Sequence, residues 1–330
     1  MRPEPAREKN PGVTLLTGEK MTARSLPLSA QELCESIRAS LCFDPARLDR
    51  VLRVDATRAL VEVQSGVRWK DLAAHLRPGD TRARDARTTC LSIGESVARN
   101  AAGPDGRPTV GHVESFTMVT PDGQLRRIDR IGNPGLFSLV VGGQGLFGAL
   151  YSVTLRIESL ARSLEAACTP ESLIESVSSV ARQLVLLVPP AELEALIAGC
   201  RQLCAEWRIS LGSLAVRRVL AERETFLRWA GRDYAEVSLG LAAGTTLGAE
   251  VRHTQLRRGL IDLAIVHGGG FPIACTPEAT RAQTEACYPQ LAGFLAEQRR
   301  VDPHQRWAND WLRRQRSLLA CEPCEVRWGS

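Results

Sequence analysis

The segment from Leu91 to Leu155 constrains the fold more than any other part of the chain. It reads in order as a small-residue turn, an Asn-Ala-Ala-Gly turn, a strand, a Pro-Asp-Gly hairpin, a strand, a helix, a Gly-Gly-Gln-Gly turn and a strand. Pro-Asp-Gly between two short apolar stretches is a strong hairpin signal, because Pro presets the backbone and Gly accepts a positive φ. The segment therefore predicts paired strands connected by tight turns.

Patterns upstream of this segment predict further elements of the same unit. Ser29-Ala-Gln-Glu32 is a capping-box pattern, and it predicts a helix that runs to about Ala39. Apolar and polar residues alternate over 47–55 and over 60–64, which predicts two paired strands.

The pattern changes after Ser159, where strand and helix signals alternate to the end of the chain. This alternation favours an antiparallel sheet with helices on one face, which makes a second α+β unit. The predicted elements there include helices over 222–230 and 277–299 and a short strand over 272–274.

Composition excludes several classes of function. The chain has 330 residues, enough for two packed domains, and its 42 basic and 37 acidic residues give a net charge of +5 without a dense basic run, so we expect no nucleic-acid partner. It has no apolar stretch near the ~20 residues of a membrane helix and no signal-peptide core, so we expect a cytoplasmic protein with no membrane span. Cys321 and Cys324 form a lone CxxC without further ligands, and we predict no metal site.

The segment 91–155 resembles the FAD-binding domain of the vanillyl-alcohol oxidase / p-cresol methylhydroxylase (PCMH-type) flavoproteins, and within them the FAD-linked oxidases of sugars and sterol-like alcohols. The stretches 48–74, 217–237 and 288–314 resemble further parts of the same family. The resemblance implies an α+β fold: a PCMH-type FAD-binding domain followed by a C-terminal α+β substrate (cap) domain.

Domain boundaries follow from the resemblance and from composition. Residues 1–23 are polar and Pro-rich and are expected to be disordered. We assign 24–158 to the FAD-binding domain and 159–330 to the substrate domain, and the resemblance implies that the last ~30 residues can pack back on the FAD domain.

The resemblance also implies a set of cofactor-binding residues. In the family, the flavin lies against glycine-rich turns whose backbone N–H groups point at the ligand, and small residues let the backbone approach closely. Ser92 to Ser96 would form the turn over the flavin, and 100–103 a second flavin-facing turn. The predicted FAD-binding residues are Ser92, Ile93, Gly94, Ser96, Asn100, Gly103, Gly111, Gly148 and Leu150.

Three departures from the family pattern bear on this site. The family carries a glycine-rich loop that wraps the pyrophosphate, whereas this chain has no glycine between Gly18 and Gly66, so the FAD domain is shortened. The paired glycines of the first turn are here Gly94 and Glu95, and Ala102 replaces a histidine in the second turn.

The sequence leaves the catalytic residues unknown. His112 lies nearest the flavin turns and is the best candidate for an acid or base, although an ordinary loop or strand-edge histidine fits the same pattern. The function implied by the resemblance is FAD-dependent oxidation of an alcohol or sugar-like hydroxyl by hydride transfer to the flavin. The alternative is a flavin-free family member that acts as a binding or scaffold subunit. We expect a small-molecule substrate, with a protein partner or a homo-oligomer also open.

Overall fold

The computed structural model describes residues 29–39, 44–76, 91–161, 181–242 and 246–320. The predictions for residues 1–23 and for Cys321 and Cys324 lie outside these ranges. The described residues form two antiparallel sheets with packed helices. The predicted α+β fold class is confirmed.

The first sheet has five strands in the order β1-β2-β5-β3-β4, and every pair is antiparallel. Its strands are β1 (Val51–Asp55), β2 (Leu60–Gln64), β3 (Val113–Val119), β4 (Leu125–Asp129) and β5 (Ala149–Arg156). Its helices are α1 (Ala30–Arg38), α2 (Trp69–Leu76), α3 (Ile93–Arg99) and α4 (Pro134–Val140), with 3-10 turns at Pro45–Arg47 and Thr109–His112.

Period-two alternation decides which side of this sheet is buried. Val61, Val63, Val153 and Leu155 point into one core and are fully buried. The opposite face carries polar partners such as Glu62, which accepts a hydrogen bond from the Ser152 hydroxyl at 2.7 Å. One face therefore packs against helices and the other is polar, as in many antiparallel sheets.

The second sheet has three strands in the order β6-β8-β7, again antiparallel. They are β6 (Ala181–Val188), β7 (Leu211–Val219) and β8 (Tyr234–Ala242), with a 3-10 turn at Pro190–Glu192 and the helices α5 (Leu193–Glu206) and α6 (Leu247–Val266). Val237, Leu239 and Leu241 of β8 lie in the core shared with Leu196, Leu256 and Leu260 of these helices. The opposite face of β8 carries Glu236, which pairs with Arg217 of β7.

The C-terminal part of the described chain is helical and touches the first half. It contains α7 (Arg281–Cys287), α8 (Leu291–Val301) and α9 (Asp310–Ala320). Between α8 and α9, Trp307 is buried in a cluster with Leu33 and Ile37 of α1. The Arg306 guanidinium donates to the Ile37 carbonyl at 2.9 Å. The domain boundaries at 24–158 and 159–330 stay a prediction.

Several sequence expectations need correction. The helix predicted over 222–230 is wrong, because the Glu222 carboxylate accepts the N–H groups of Glu224 and Thr225 and holds a compact loop. The strand predicted over 272–274 is a turn. The helix predicted over 277–299 is two helices, α7 and α8, separated at Tyr288 and Pro289, because proline disfavours a helical conformation for the residue before it.

Within the described ranges, no helix has the length and apolar content needed to cross a membrane. The same ranges contain no group of three or more His, Cys, Asp or Glu side chains arranged to hold a metal ion.

Candidate functional site

The predicted turn at 92–96 is in fact the beginning of a helix. Ser92 is the N-cap of α3, and its hydroxyl accepts the Glu95 N–H at 3.2 Å. The Glu95 carboxylate returns the contact by accepting the Ser92 N–H at 2.9 Å. Ser-x-x-Glu is the capping-box pattern, so the sequence holds a signal for this helix that the prediction of a turn overlooked.

The N–H groups at the start of α3 are all used within the protein. The Ile93 N–H donates to the Val67 carbonyl at 2.8 Å, and the Gly94 N–H donates to the Ser65 carbonyl at 2.7 Å. A Cβ at Gly94 would lie only 2.8–2.9 Å from Ser65 atoms, so this glycine is required by packing between α3 and the turn after β2. With the capping box included, the first turn offers no free backbone donor to a phosphate.

Asn100 ends α3 and forms the centre of the second predicted turn. It is fully buried with φ 48°, a left-handed conformation that asparagine tolerates better than most residues. Its side-chain Oδ1 accepts the Val110 N–H at 2.9 Å, and its carbonyl accepts the Trp229 indole N–H at 3.0 Å. Among the described residues its Nδ2 has no hydrogen-bond partner, which is costly for a buried amide and calls for an acceptor.

The remaining residues predicted around this turn are also held by protein contacts. Ser96 is buried and accepts the Trp69 indole N–H at 2.8 Å. The Gly103 N–H donates to the Arg107 carbonyl, and the Gly111 N–H donates to the Pro108 carbonyl. Gly111 has open space around it, since an added Cβ would meet only one atom, at 4.0 Å.

Gly148 and Leu150 lie apart from this turn: Gly148 directly precedes β5, and Leu150 lies in it. Gly148 has φ 137°, and an added Cβ would lie 2.3 Å from the Val119 carbonyl oxygen. Leu150 is half-buried and pairs with Met118 of β3. Tyr151, the next residue, joins β5 to the Ser65 turn because its carbonyl accepts the Ser65 N–H. The structure thus brings seven of the nine predicted residues together and sets these two on the neighbouring strand.

His112 is buried and is held on one side. Its Nδ1 lies 3.0 Å from the Ser159 hydroxyl, which itself donates to the Arg156 carbonyl, so we assign the proton to Nδ1. Its Nε2 lies 3.7 Å from Asp105 Oδ1, beyond hydrogen-bond distance. This setting, deep between β3 and the helical turn after β5, suits a structural histidine better than a base that must reach substrate.

The second half of the chain contributes a polar face to this region. Arg217 of β7 and Glu236 of β8 are register partners and form a bidentate ion pair, with both N–O distances 2.8 Å. Glu236 is 5% exposed. Arg217 also donates to the Ala102 carbonyl at 3.3 Å, which places the pair directly beside the turn at 100–103.

Cys275 lies near this ion pair. Burial is the main cause that raises the pKa of its thiol, and the charges of Arg99, Glu236 and Arg217 also act on this pKa. Two arginines, one carboxylate and a thiol therefore lie near one another, and we call these four residues the polar cluster.

Residues 30–129 match the family model of the FAD binding domain. This segment is an FAD-binding domain. The match covers α1, the capped helix α3, the turn at Asn100 and the β3–β4 hairpin, and it ends before Gly148.

Curated relatives show the same kind of similarity over limited stretches. The chain is 24% identical to a D-lactate dehydrogenase of Anaerostipes hadrus over 169 residues, which is 48% of this chain and 36% of that protein. It is 34% identical to two mitochondrial L-galactono-1,4-lactone dehydrogenases of Oryza sativa subsp. japonica over 114 residues, 34% of this chain and 20% of each of them. The matched stretches thus cover well under half of these relatives.

The fit of FAD to this FAD-binding domain differs between the two ends of the site. At the Asn100 turn, a buried amide without an acceptor among the described residues lies near the two arginines of the polar cluster, and this end fits a group rich in hydrogen-bond acceptors such as ring nitrogens and carbonyls. At the start of α3, every N–H is used and a carboxylate caps the helix, so this end does not fit a pyrophosphate as folded here. The cofactor contacts predicted at Ser92, Ile93 and Gly94 cannot use these N–H groups as folded here, because the Glu95 carboxylate and two backbone carbonyls already accept them.

The most informative functional residues were not predicted from the sequence. Arg217, Glu236 and Trp229 lie in a stretch that the family resemblance marks as a whole, without singling out any of them. A charged residue at an inward position of a strand, as in Val216-Arg217-Arg218, is a readable signal, but its partner on another strand becomes visible only with the register.

Proposed function

We propose that the protein is an FAD-dependent oxidoreductase that oxidises a hydroxyl group of a small alcohol, sugar or hydroxy acid. When bound, FAD supplies the hydride acceptor, and the protein supplies position and electrostatics. The observation that carries the proposal is the contact of the Arg217–Glu236 pair with the Asn100–Gly103 turn of the FAD-binding domain.

The role we assign to Arg217 is to bind and orient substrate. Its guanidinium is planar and is held by two hydrogen bonds that it donates to the Glu236 carboxylate, so its remaining donors have a fixed direction. Arg99 adds a second positive charge to the same polar cluster. Two arginines favour a substrate with a carboxylate or another electron-rich oxygen next to the hydroxyl. The names of the relatives, a lactate and a galactonolactone dehydrogenase, are compatible with such substrates.

Asn100 is the residue we assign to cofactor contact. Its Nδ2 is the buried donor in need of an acceptor, and its carbonyl is held by Trp229 of the second domain. Asn100 would therefore contact the cofactor with its side chain and Trp229 with its backbone carbonyl. We assign no catalytic base, because His112 is buried and its Nδ1 is bonded to the Ser159 hydroxyl.

A second function stays open because of the start of α3. The capping carboxylate and the saturated N–H groups favour a flavin-free protein that binds a partner, for instance an active relative. In that case the polar cluster would be a remnant of the family fold, since a shared fold does not by itself imply a shared function.

The visible absorption spectrum of the purified protein, with and without added FAD, distinguishes the two functions. We expect flavin bands in near-stoichiometric amount and a thermal shift that grows with FAD concentration, because a ligand that binds only the native state stabilises it. Reduction of the bound flavin by a panel of hydroxy acids, lactones and sugar alcohols then identifies the substrate class. A folded, colourless protein whose melting temperature does not change on addition of FAD would establish the flavin-free alternative.

A further inference from the structure

A cavity lies away from the polar cluster, between the FAD-binding domain and the C-terminal helices. Its volume is about 930 Å³, and its walls come from the β3–β4 hairpin, α4, Phe226 and the segment 297–306. None of the nine predicted FAD-binding residues lines it. Its size lies in the range of ~300–1,000 Å³ that is usual for small-molecule sites, which are often found at domain junctions.

The inner wall of the cavity is apolar. Its apolar lining includes Leu136 and Leu139 of α4, Phe226 and Val301. Gly135, in the first turn of α4, also lines it, and a Cβ at that position would meet no atom within 4 Å. The cavity is therefore open beside the helix backbone and is not a narrow packing defect.

The charged residues of the cavity divide into a sealed set and an accessible set. Asp302 is 2% exposed and is used up by the N–H groups of Arg306 and Trp307. The accessible cations are Arg126, Arg300 and Arg306, and the accessible anions are Asp122 and Glu297.

The accessible charges leave an excess of positive charge at the rim. Arg126 lies 4.0 Å from Asp122, a loose pair, and Arg300 is 71% exposed while it contacts Glu297 at 2.8 Å. A hydroxyl hydrogen bond from Thr120 is the main cause that lowers the pKa of Asp122, so that carboxylate is charged and already partly engaged.

We propose that this cavity is a second ligand site, which takes a small organic molecule with an apolar body and one anionic group. The apolar body would lie against Leu136, Leu139 and Phe226, and the anionic group would lie at the rim near Arg300 and Arg126. A ligand there would touch both α4 and the C-terminal segment, so it would stabilise their contact.

The test uses the full-length protein and decanoate as the probe, with decyltrimethylammonium as a cation of the same chain length. Isothermal titration calorimetry should show saturable binding of one decanoate and much weaker binding of the cation. Gly135→Phe places a side chain in the cavity and should abolish decanoate binding. Gly248→Phe is the matched control, since Gly248 is also the second residue of a helix with open space around it.

The rim charge has its own matched pair of variants. Arg300→Gln should weaken decanoate binding about twofold to fivefold, the range expected for an exposed charge pair. Arg313→Gln should leave it unchanged, because Arg313 forms the same kind of i,i+3 pair, with Asp310, outside the cavity. FAD content should be equal in all four variants.

The outcomes that overturn the proposal are equally specific. Absent saturable binding, or decanoate binding that survives Gly135→Phe, shows that the cavity is not a ligand site. Equal affinity for decanoate and the cation removes the anionic preference. Loss of FAD in Gly135→Phe, with FAD kept in Gly248→Phe, would show that the cavity belongs to the flavin site.

Discussion

The carboxylate of Glu95 holds the Ser92 N–H and thereby places a negative charge at the start of α3. A carboxylate there stabilises the helix, because it satisfies a terminal donor and complements the positive end of the helix dipole. The same charge opposes a second anion at this point. Helix stability and phosphate binding therefore compete for one group of N–H donors.

Glu95→Gln separates these two effects. Glutamine keeps the capping box, so the helix is retained, while the negative charge is removed. We expect the affinity for FAD to rise about tenfold or more, since one charge at short range is worth at least ~1.4 kcal/mol at an intermediate dielectric. Titration of FAD by fluorescence quenching measures the change.

The control for this variant is Glu32→Gln in α1. Glu32 forms the same capping box with Ser29, and it caps α1, a different helix. Its replacement should leave FAD affinity unchanged. If Glu95→Gln binds FAD no better than the unmodified protein, the carboxylate does not oppose the pyrophosphate, and the pyrophosphate contacts other residues.

Arg217 and Arg218 provide a second comparison between neighbouring residues. Arg217 is bidentate with Glu236 and contacts the Asn100–Gly103 turn, whereas Arg218 is 72% exposed and pairs with Asp233. Arg217→Lys should lower kcat/KM by about tenfold to a hundredfold, because lysine cannot reproduce the planar two-point contact. Arg218→Lys should leave kcat/KM within about twofold. Equal losses in both variants, at unchanged FAD content, would contradict a substrate-orienting role for Arg217.

Helices and strands of this chain agree with the sequence prediction where a short local motif, such as a helix cap or a turn, determines the backbone conformation. The capping box at Ser29 and the hairpin at Pro121-Asp122-Gly123 are both observed as predicted. The same capping-box pattern at Ser92 begins α3, whereas the small residues there predict a flavin-facing turn. Residues 222–230 have a helical pattern but form a loop, since the buried Glu222 carboxylate competes for the local N–H groups.

The site itself is less readable from sequence than these elements. The residues around α3 were found because glycines and small residues mark close approaches. The Arg217–Glu236 pair depends on the register of two strands and on the contact between two sheets. Neither the register nor that contact leaves a local pattern, so this half of the site required the structure.

Gly135 in α4 and Gly143 after it differ in how closely other atoms approach them, so their substitution shows where packing requires a glycine. A Cβ at Gly143 would lie 2.0 Å from the Leu139 carbonyl oxygen, whereas a Cβ at Gly135 would meet nothing. Gly143→Ala should lower the free energy of unfolding by about 1–3 kcal/mol or more, because backbone atoms must move. Gly135→Ala should raise it by about 0.4–1 kcal/mol, because alanine restricts the unfolded chain. Urea unfolding measures both, and a loss at Gly135 as large as at Gly143 would contradict the open space at Gly135.

The whole molecule is held together by contacts that join distant parts of the chain. Trp229 binds the Asn100 turn, and Arg306 and Trp307 bind α1, so both the second domain and the C-terminal segment touch the FAD-binding domain. A change in the C-terminal segment should therefore be felt at α1, more than two hundred residues away in sequence.

Trp307→Ala tests this long-range contact. Trp307 is 3% exposed in the cluster with Leu33 and Ile37, so its removal should cost about 3–5 kcal/mol of unfolding free energy. The loss should be local before it is global, because Trp307 packs directly on Leu33 and Ile37 of α1. Hydrogen exchange should show reduced protection of α1, with β6 and β8 still protected.

Trp311→Ala is the matched control, since Trp311 packs on Phe294 and its indole donates to the Ile273 carbonyl at 3.2 Å. Its loss should reduce protection in α8 and around Ile273 and should leave α1 unchanged. If the two variants give the same exchange pattern, the C-terminal segment opens as one unit. In that case the bond from Arg306 to the end of α1 adds no stability of its own.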